Sequence, residues 1–409
     1  EWPLRPSYGG CYMFQVLFLF LHNMSTFNNG NGVSNSNSKL LQVEAIQTVI
    51  PMKITDPRLS RRIVLPENYF DSVIVDLQRR FHMVLYYNKA SETDSGWIVA
   101  GWFKESLGTA IVENPMFAGR LRKLEGDDDG DLELVSNDSG VRMVEANFEM
   151  NMDDFIVYKK KENVENELVY WEDIHEISPQ FSPLFYVQVT NFKCGGYSIG
   201  ISCSLFLADP YAMTSFLKSW SKIHNNLVSQ IDSPKIPAFF TPNFTKIGSS
   251  SPTLSISPKT RNQITKTLIF KNSKNPLELK NNNNDQLFLK NLVSKCVGEV
   301  EEKNGKKISS KFTFLVKESF ESVRLENCLR EEVIIKEENN NNNGLLLSSI
   351  VLRNWDDLGA DEVRFIEGNK AIHISCWIIN GENNQDLVMI SPNPDEDTSQ
   401  LNIIISISN

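Results

Sequence analysis

The sequence lacks the motifs by which nucleic-acid, metal and phosphate sites are usually recognised. Its 409 residues contain no Cys-x-x-Cys pair, no zinc-ligand spacing, no glycine-rich phosphate loop and no serine-centred nucleophile elbow. No basic patch accompanies the formal net charge of -10, which argues against a nucleic-acid partner. The sequence therefore predicts no metal and no resident cofactor.

Cysteine is scarce, and long hydrophobic runs are scarce too. Six cysteines without metal spacing favour free thiols in a reducing, cytoplasmic compartment. The apolar run 11–21 is too short to span a membrane. It could belong to a signal peptide, but no small-residue cleavage site follows it, so we expect the working protein to start at Met24. We interpret 1–42 as a disordered or artefactual extension of a monomeric globular protein.

The most informative stretch is 183–220, which predicts a β-hairpin followed by a helix. Apolar and polar residues alternate over 185–190 and again over 197–204, and a Gly-Gly pair marks the turn between the two runs. Asp209 followed by Pro210 predicts a helix N-cap with proline at the first helical position. We expect a rigid bend between strand and helix, where proteins often hold chemistry.

This stretch resembles the BAHD family of plant acyl-CoA-dependent acyltransferases. In that family a strand of this kind is followed by a His, three residues, an Asp and a Gly. Over 205–210 the Asp is present as Asp209, whereas the His position holds Leu205 and the Gly position holds Pro210. The resemblance implies a degenerate family member, with a likeness to its ECERIFERUM-type branch, and it gives Asp209 a structural role.

The resemblance extends to 104–122 and implies an α/β fold. This fold has two chloramphenicol-acetyltransferase-like domains, each a mixed sheet flanked by helices, with a channel at their interface. We place the N-terminal domain at 43–230, a Pro- and Ser-rich crossover linker at 231–262 and a shortened C-terminal domain at 263–409. Apolar periodicity also predicts a helix over 285–303 and further strands over 43–54, 116–122, 265–271, 311–316, 371–379, 387–391 and 401–408.

The missing histidine would be the general base of the family reaction. It removes the proton from the hydroxyl or amine that attacks the acyl thioester, a service worth roughly 10²–10⁴ in rate. The alkyl side chain of Leu205 cannot accept a proton, so we expect it to fill the former cavity; the alternative is that it lines an acyl-chain groove. A lone histidine is usually structural, and we predict no substitute base among His22, His82, His175, His224 and His373.

The family's second motif, Asp-Phe-Gly-Trp-Gly, is matched in part at 364–368. Phe365 and Gly368 agree with it, whereas Arg364 reverses the charge of the Asp. The motif is structural in the family and shapes the CoA channel. The resemblance therefore implies structural roles for Asp209, Phe365 and Gly368, and channel-lining roles for Ser204, Leu205, Trp355 and Arg364.

Three hypotheses about function remain open from the sequence, and whether the chain is an enzyme is undecided. The first is a catalytically impaired homologue that binds acyl-CoA or an acyl chain, or assists a partner enzyme, in very-long-chain lipid or wax metabolism. The second is a slow O- or N-acyltransferase that uses acyl-CoA as co-substrate and a non-standard base. The third is an interaction protein that keeps the fold without an acyl ligand.

Overall fold

The structure is a computed structural model that describes most of the chain. The described residues are 40–66, 76–91, 95–124, 131–162, 164–230, 265–272, 282–317, 319–333, 350–381, 385–392 and 400–408. The predicted linker and all but the last three residues of the predicted N-terminal extension lie outside these ranges.

A mixed six-stranded sheet carries the predicted hairpin at its centre. In spatial order its strands are β1 (Leu41–Val49), β6 (Val141–Phe148), β7 (Phe185–Phe192), β8 (Tyr197–Ser204), β3 (Arg80–Tyr87) and β13 (His373–Ile379). β6 and β7 are parallel, and every other neighbouring pair is antiparallel. Among the described strands β13 pairs with β3, and it lies at the edge of this sheet.

A mixed nine-stranded sheet is built mainly from the second half of the chain. In spatial order its strands are β12 (Ile350–Arg353), β9 (Thr265–Asn272), β15 (Leu401–Ser408), β14 (Leu387–Pro392), β10 (Lys311–Lys317), β11 (Ser322–Leu329), β2 (Ser60–Val64), β5 (Leu132–Val135) and β4 (Arg120–Lys123). Each sheet takes strands from both halves of the chain, because β13 joins the first sheet and β2, β4 and β5 join the second. The predicted domain boundaries stay a prediction.

Helices flank both sheets, so the α/β class with mixed sheets is confirmed. The helices are α1 (Gly96–Glu113), α2 (Met152–Glu162), α3 (Pro210–Ser229), α4 (Asn282–Asn304) and α5 (Arg330–Val333). Single 3₁₀ turns lie at Pro115–Ala118, Val164–Leu168, Pro179–Phe181, Trp355–Leu358 and Ala360–Glu362. None of the helices in the described ranges is long and apolar enough to cross a membrane.

The two faces of the six-stranded sheet bury different cores, because successive side chains on a strand point to opposite faces. Phe81, Met83 and Leu85 of β3 pack in the cluster that holds α1 and α3, and we call this side the α1–α3 face. Val84 and Tyr86 pack instead with Met152 and Phe155 of α2, and we call this side the α2 face.

Most local predictions are confirmed, and two are wrong in part. The strand predicted over 43–54 ends at Val49, and the segment that follows runs on without regular structure. The segment 116–122 is not one strand, because Pro115 opens a 3₁₀ turn through Ala118 and the strand β4 starts at Arg120. Proline at the first position of a helical turn is common, since it lacks the N–H that would be unsatisfied there.

Candidate functional site

The loop between β8 and α3 places Leu205 inside the protein. Its side chain is 0% exposed and belongs to the core cluster of the α1–α3 face. Its backbone N–H donates to the carbonyl of Arg79 at 3.1 Å, which fixes the loop against the residue that precedes β3. Phe206, Leu207 and Ala208 are buried as well. The position that the resemblance assigns to the family's base is therefore a packed hydrophobic position.

Arg61 of β2 holds the same loop from the second sheet. Its Nη1 donates to the carbonyl oxygens of Phe206 at 3.0 Å and Leu207 at 2.8 Å, and its Nε donates to Phe320 O at 2.7 Å. Burial lowers the pKa of Arg61, and the nearby Asp209 carboxylate opposes that shift. An arginine stays protonated in proteins, so this side chain acts as a cationic clamp on the loop.

Asp209 caps α3, as the Asp-Pro pair predicts. Its Oδ1 accepts from the backbone N–H groups of Tyr211 at 2.9 Å and Ala212 at 3.0 Å. Its Oδ2 lies 3.3 Å from Nζ of Lys317, the last residue of β10. Both partners are buried, and burial lowers the pKa of Lys317 while Asp209 opposes the shift. The carboxylate thus ties the loop to the second sheet.

The described histidines all lie in other places and have partners there. His82 of β3 faces the α2 face between Trp171 and Trp377, 3.3 Å from Ser202 Oγ. His224 of α3 contacts Ser106 Oγ at 3.0 Å. The other contacts join His175 to Ser178 Oγ at 3.0 Å and His373 to Ser375 Oγ at 3.1 Å. His22 lies outside the described residues.

The second motif region packs against α1 and α3. Phe365 is buried, and its ring lies 4.5 Å from Phe103 and 4.7 Å from Trp220, centroid to centroid. Gly368 has φ of 79°, a backbone conformation that glycine adopts readily. The Arg364 carbonyl accepts from Asn225 Nδ2 at 2.5 Å. This region therefore fixes a turn beside the helices of the α1–α3 face.

A cavity of about 530 Å³ lies where the edge strand β13 meets the second sheet. The lining residues come from four segments: Glu165, Asn166, Thr265, Thr267, Leu268, Ile269, Arg353, Asn354, Trp355, Asp356, Ile374, Ser375, Cys376, Trp377 and Ile379. Its volume is that of a small-molecule pocket. Of the predicted channel residues, Trp355 lines this cavity, whereas Ser204, Leu205 and Arg364 are not among its lining residues.

Sequence reasoning missed several polar residues that the fold brings together. Arg61 and Lys317 reach the loop from the second sheet, and Asp76 and Arg79 form a buried ion pair beside it. Arg79 Nη2 also donates to Thr313 Oγ1 of β10 at 2.8 Å. A single basic residue in a strand gives no sequence signal, because its partner lies far away in the chain.

Comparison with known proteins gives one family and partial relatives. A model described as the transferase family matches residues 56–335. A hydroxycinnamoyltransferase from Narcissus pseudonarcissus is 34% identical over 152 residues, covering 36% of this chain and 33% of that protein. The protein ECERIFERUM 26-like from Arabidopsis thaliana is 30% identical over 119 residues, covering 29% and 27%. The chain thus spans about a third of the length of the curated relatives it matches.

Among solved structures, the crystal structure of vinorine synthase aligns over 90% of this chain and 95% of that chain. The TM-score is 0.42 and the sequence identity 16%.

Proposed function

Since the chain belongs to the transferase family of BAHD acyltransferases, we propose that it is a catalytically impaired homologue that binds an acyl ligand. The family reaction moves an acyl group from acyl-CoA to an alcohol or amine. This chain would bind acyl-CoA or its acyl chain without ordinary transfer and act beside a partner enzyme. Its similarity to ECERIFERUM proteins supports a role near very-long-chain lipid or wax metabolism.

The observation that carries the proposal is the burial of Leu205. A general base needs a basic atom within hydrogen-bond reach of the acceptor's proton, directly or through one water. Leu205 offers no such atom, and its side chain is sealed in the hydrophobic core. Three fixed contacts keep the loop in place: Arg79 O with Leu205 N, Arg61 with the loop carbonyls, and Asp209 with Lys317.

The cavity supports ligand binding at the junction of the two sheets. Its lining combines the tryptophans Trp355 and Trp377 with aliphatic residues and with residues that carry hydroxyl, amide and charged groups. Mixed walls of this kind suit a ligand with an apolar body and polar ends. We therefore propose that the acyl ligand lies against Trp355. We also propose that the protein is cytoplasmic and monomeric.

A slow acyltransferase with another base is the second candidate, and Lys317 is the residue that favours it. Burial lowers the pKa of Lys317, and a neutral lysine amine can accept a proton. However, Asp209 holds this amine at 3.3 Å and favours its charged form. Under this alternative, Lys317→Arg would abolish transfer while keeping the ion pair, since arginine is not deprotonated.

The test measures binding and transfer separately. Purified protein is titrated with acyl-CoAs of increasing chain length by calorimetry, and products formed with a panel of alcohols and amines are identified by mass spectrometry. We expect binding without an acceptor-derived product. Trp355→Ala should weaken binding roughly 5–30-fold, as the loss of an aromatic anchor does. Trp97→Ala, a half-buried tryptophan of α1 off the cavity, should leave binding unchanged.

Each other outcome selects another hypothesis. An acylated acceptor whose formation is lost in Lys317→Arg would establish the slow acyltransferase. If neither binding nor product is detected, the result would favour an interaction protein that keeps the fold without an acyl ligand. Free acid that forms without an acceptor does not count as transfer.

A further inference from the structure

Five polar side chains converge on the α2 face of the first sheet, away from the Leu205 loop. Lys159 Nζ of α2 lies 2.5 Å from Glu165 Oε1 and 3.0 Å from Ser375 Oγ. Tyr86 Oη donates to the same Glu165 oxygen at 2.5 Å. His373 Nε2 lies 3.1 Å from Ser375 Oγ. We call this set the Ser375 cluster; Glu165 and Ser375 line the cavity.

A serine close to a histidine does not by itself mark a site in this chain, because all four described histidines contact a serine. The contacts of Ser106 and Ser202 are fully buried, and that of Ser178 lies on the exposed surface. Ser375 differs because it lines a cavity. Its oxygen also receives a hydrogen bond from the buried Lys159. The buried Arg80 makes the same kind of contact to Ser202, which does not line that cavity.

The hydrogen-bond directions suit a nucleophile. Lys159 can only donate, so it occupies an acceptor site on Ser375 Oγ. A hydroxyl oxygen has two acceptor sites, so the direction of its contact with His373 Nε2 depends on the tautomer of the ring. In the neutral tautomer with Nε2 unprotonated, the hydroxyl proton of Ser375 points to that nitrogen. Tyr86, with its ring centroid 5.4 Å from that of His373, packs against the imidazole. A nucleophile in hydrogen-bond contact with an oriented base is the usual arrangement of an activated serine.

The edge of β13 adds a donor for the charge that would develop on a carbonyl. The carbonyl of Ile378 accepts from Thr265 Oγ1 at 2.6 Å, so it points outward from β3. Residues two apart on a strand direct their backbone groups to the same side. The N–H of Cys376 therefore points to that same outer edge, directly after Ser375. A backbone N–H beside the nucleophile is a common oxyanion donor.

We propose that Ser375 is a catalytic nucleophile that cleaves small esters or thioesters through an acyl-serine intermediate. Ser375 Oγ attacks the acyl carbonyl carbon, and its proton passes to His373 Nε2. The leaving alkoxide or thiolate takes that proton as the bond to the acyl carbon breaks. Water then attacks the acyl-serine, gives a proton to His373 and releases the acid, and the serine oxygen takes the proton back. Lys159 stabilises the serine oxygen in both steps.

The neighbouring thiol is a poor candidate for the same role. Cys376 also lines the cavity, but burial, with Glu165 and Asp356 adding to it, raises the pKa of its thiol far above the usual value. The thiolate is the nucleophilic form of cysteine. Cys376 therefore stays protonated, which leaves Ser375 as the nucleophile.

The experiment uses the full chain and p-nitrophenyl acetate, so it does not depend on acyl-CoA binding. We expect a burst of p-nitrophenol approaching one equivalent per protein, followed by slow turnover. Peptide mapping of the quenched wild-type protein should locate the acetyl group on Ser375. Ser375→Ala should lose the burst, and His373→Gln should slow acylation at least about 100-fold, the lower range for a general base. Ser178→Ala, from the exposed serine–histidine contact, should behave as wild type.

Three results would overturn the proposal. These are an acetyl group on another residue, a burst that survives in Ser375→Ala, or a wild-type protein without a burst. The direct mapping of the wild-type protein decides the question even where a variant fails to fold. Acyl-CoA binding with no burst would retain the proposed function and contradict this inference. A burst on Ser375 without acyl-CoA binding would retain this inference and contradict the proposed function.

Discussion

The two faces of the six-stranded sheet each hold a serine–histidine contact in which another side chain donates to the serine oxygen, and the surroundings of the two contacts are opposite. On the α1–α3 face, Trp220 Nε1 donates to Ser106 Oγ at 3.0 Å, and Ser106 contacts His224 Nδ1. On the α2 face, Lys159 is the donor to Ser375, and Ser375 contacts His373. The first contact is sealed between helices, whereas the second borders a cavity.

This difference suits the Ser106–His224 contact to packing and the Ser375–His373 contact to chemistry. A neutral donor in a sealed core satisfies the polar atoms of Ser106 and His224 and leaves no room for a substrate. A cationic donor beside a cavity stabilises a developing oxyanion where a substrate can enter. The α1–α3 face also holds the Leu205 loop, and under the proposed function this face serves stability. Changes there should alter unfolding, and changes in the Ser375 cluster should alter ester cleavage.

The largest expected effect is from Asp209→Ala. The substitution removes the cap of α3 and leaves Lys317 buried without its carboxylate. Removing one partner of a buried ion pair costs about 3–5 kcal/mol. Urea unfolding should show that loss. Lys193→Ala is the matched control, because its pair with Glu149 is exposed and such pairs contribute about 0–1 kcal/mol. Equal losses in both variants would show that the Asp209 pair is not a buried anchor.

The second effect is acid sensitivity from His224. Burial lowers its pKa to about 3, from the usual histidine value of about 6.5. Between pH 6.5 and 3, His224 is therefore protonated in the unfolded chain and neutral in the folded protein. The stability that is present above pH 6.5 is lost as the pH falls toward 3. The slope approaches about 1.4 kcal/mol per pH unit. His224→Gln should flatten the fall in unfolding free energy between pH 6 and 4. Identical slopes would mean that His224 is protonated in the fold.

The sequence predicts features that depend on neighbouring residues, and the structure adds contacts between residues far apart in the chain. The hairpin, the cap at Asp209 and the apolar face of α4 follow from periodicity and turn chemistry within short windows. The place of β13 in the first sheet could not be predicted, because strand pairing depends on partners far apart in the chain. The Ser375 cluster was missed for the same reason. Its members come from β3, α2, the 3₁₀ turn at Val164–Leu168 and β13.

Leu205→His tests whether the α1–α3 face is an active site that lacks only its histidine base. The new imidazole would enter a core position without a polar partner, which costs about 1–3 kcal/mol in proteins. We expect the variant to fold with that loss and to gain no acceptor-dependent transfer, because position 205 does not border the cavity. Product analysis with acyl-CoA and an alcohol measures the gain. Leu205→Met, a volume-conserving control, should cost less than about 1.5 kcal/mol. Restored transfer would mean that substrate reaches position 205.

The smallest expected effect is from Thr265→Val, at the edge of β13. Thr265 Oγ1 holds the Ile378 carbonyl at 2.6 Å, whereas Thr267 Oγ1, on the same strand and in the same cavity, contacts Ser406 Oγ at 3.3 Å. Each substitution removes one hydrogen bond, worth about 0.5–1.5 kcal/mol. Only Thr265→Val releases the edge that carries the Cys376 N–H. We therefore expect similar urea midpoints for Thr265→Val and Thr267→Val, but slower ester cleavage and faster amide exchange in β13 for Thr265→Val alone. Equal amide exchange in the two variants would show that the Thr265 hydrogen bond does not hold the β13 edge, and it would contradict a role of that edge in ester cleavage.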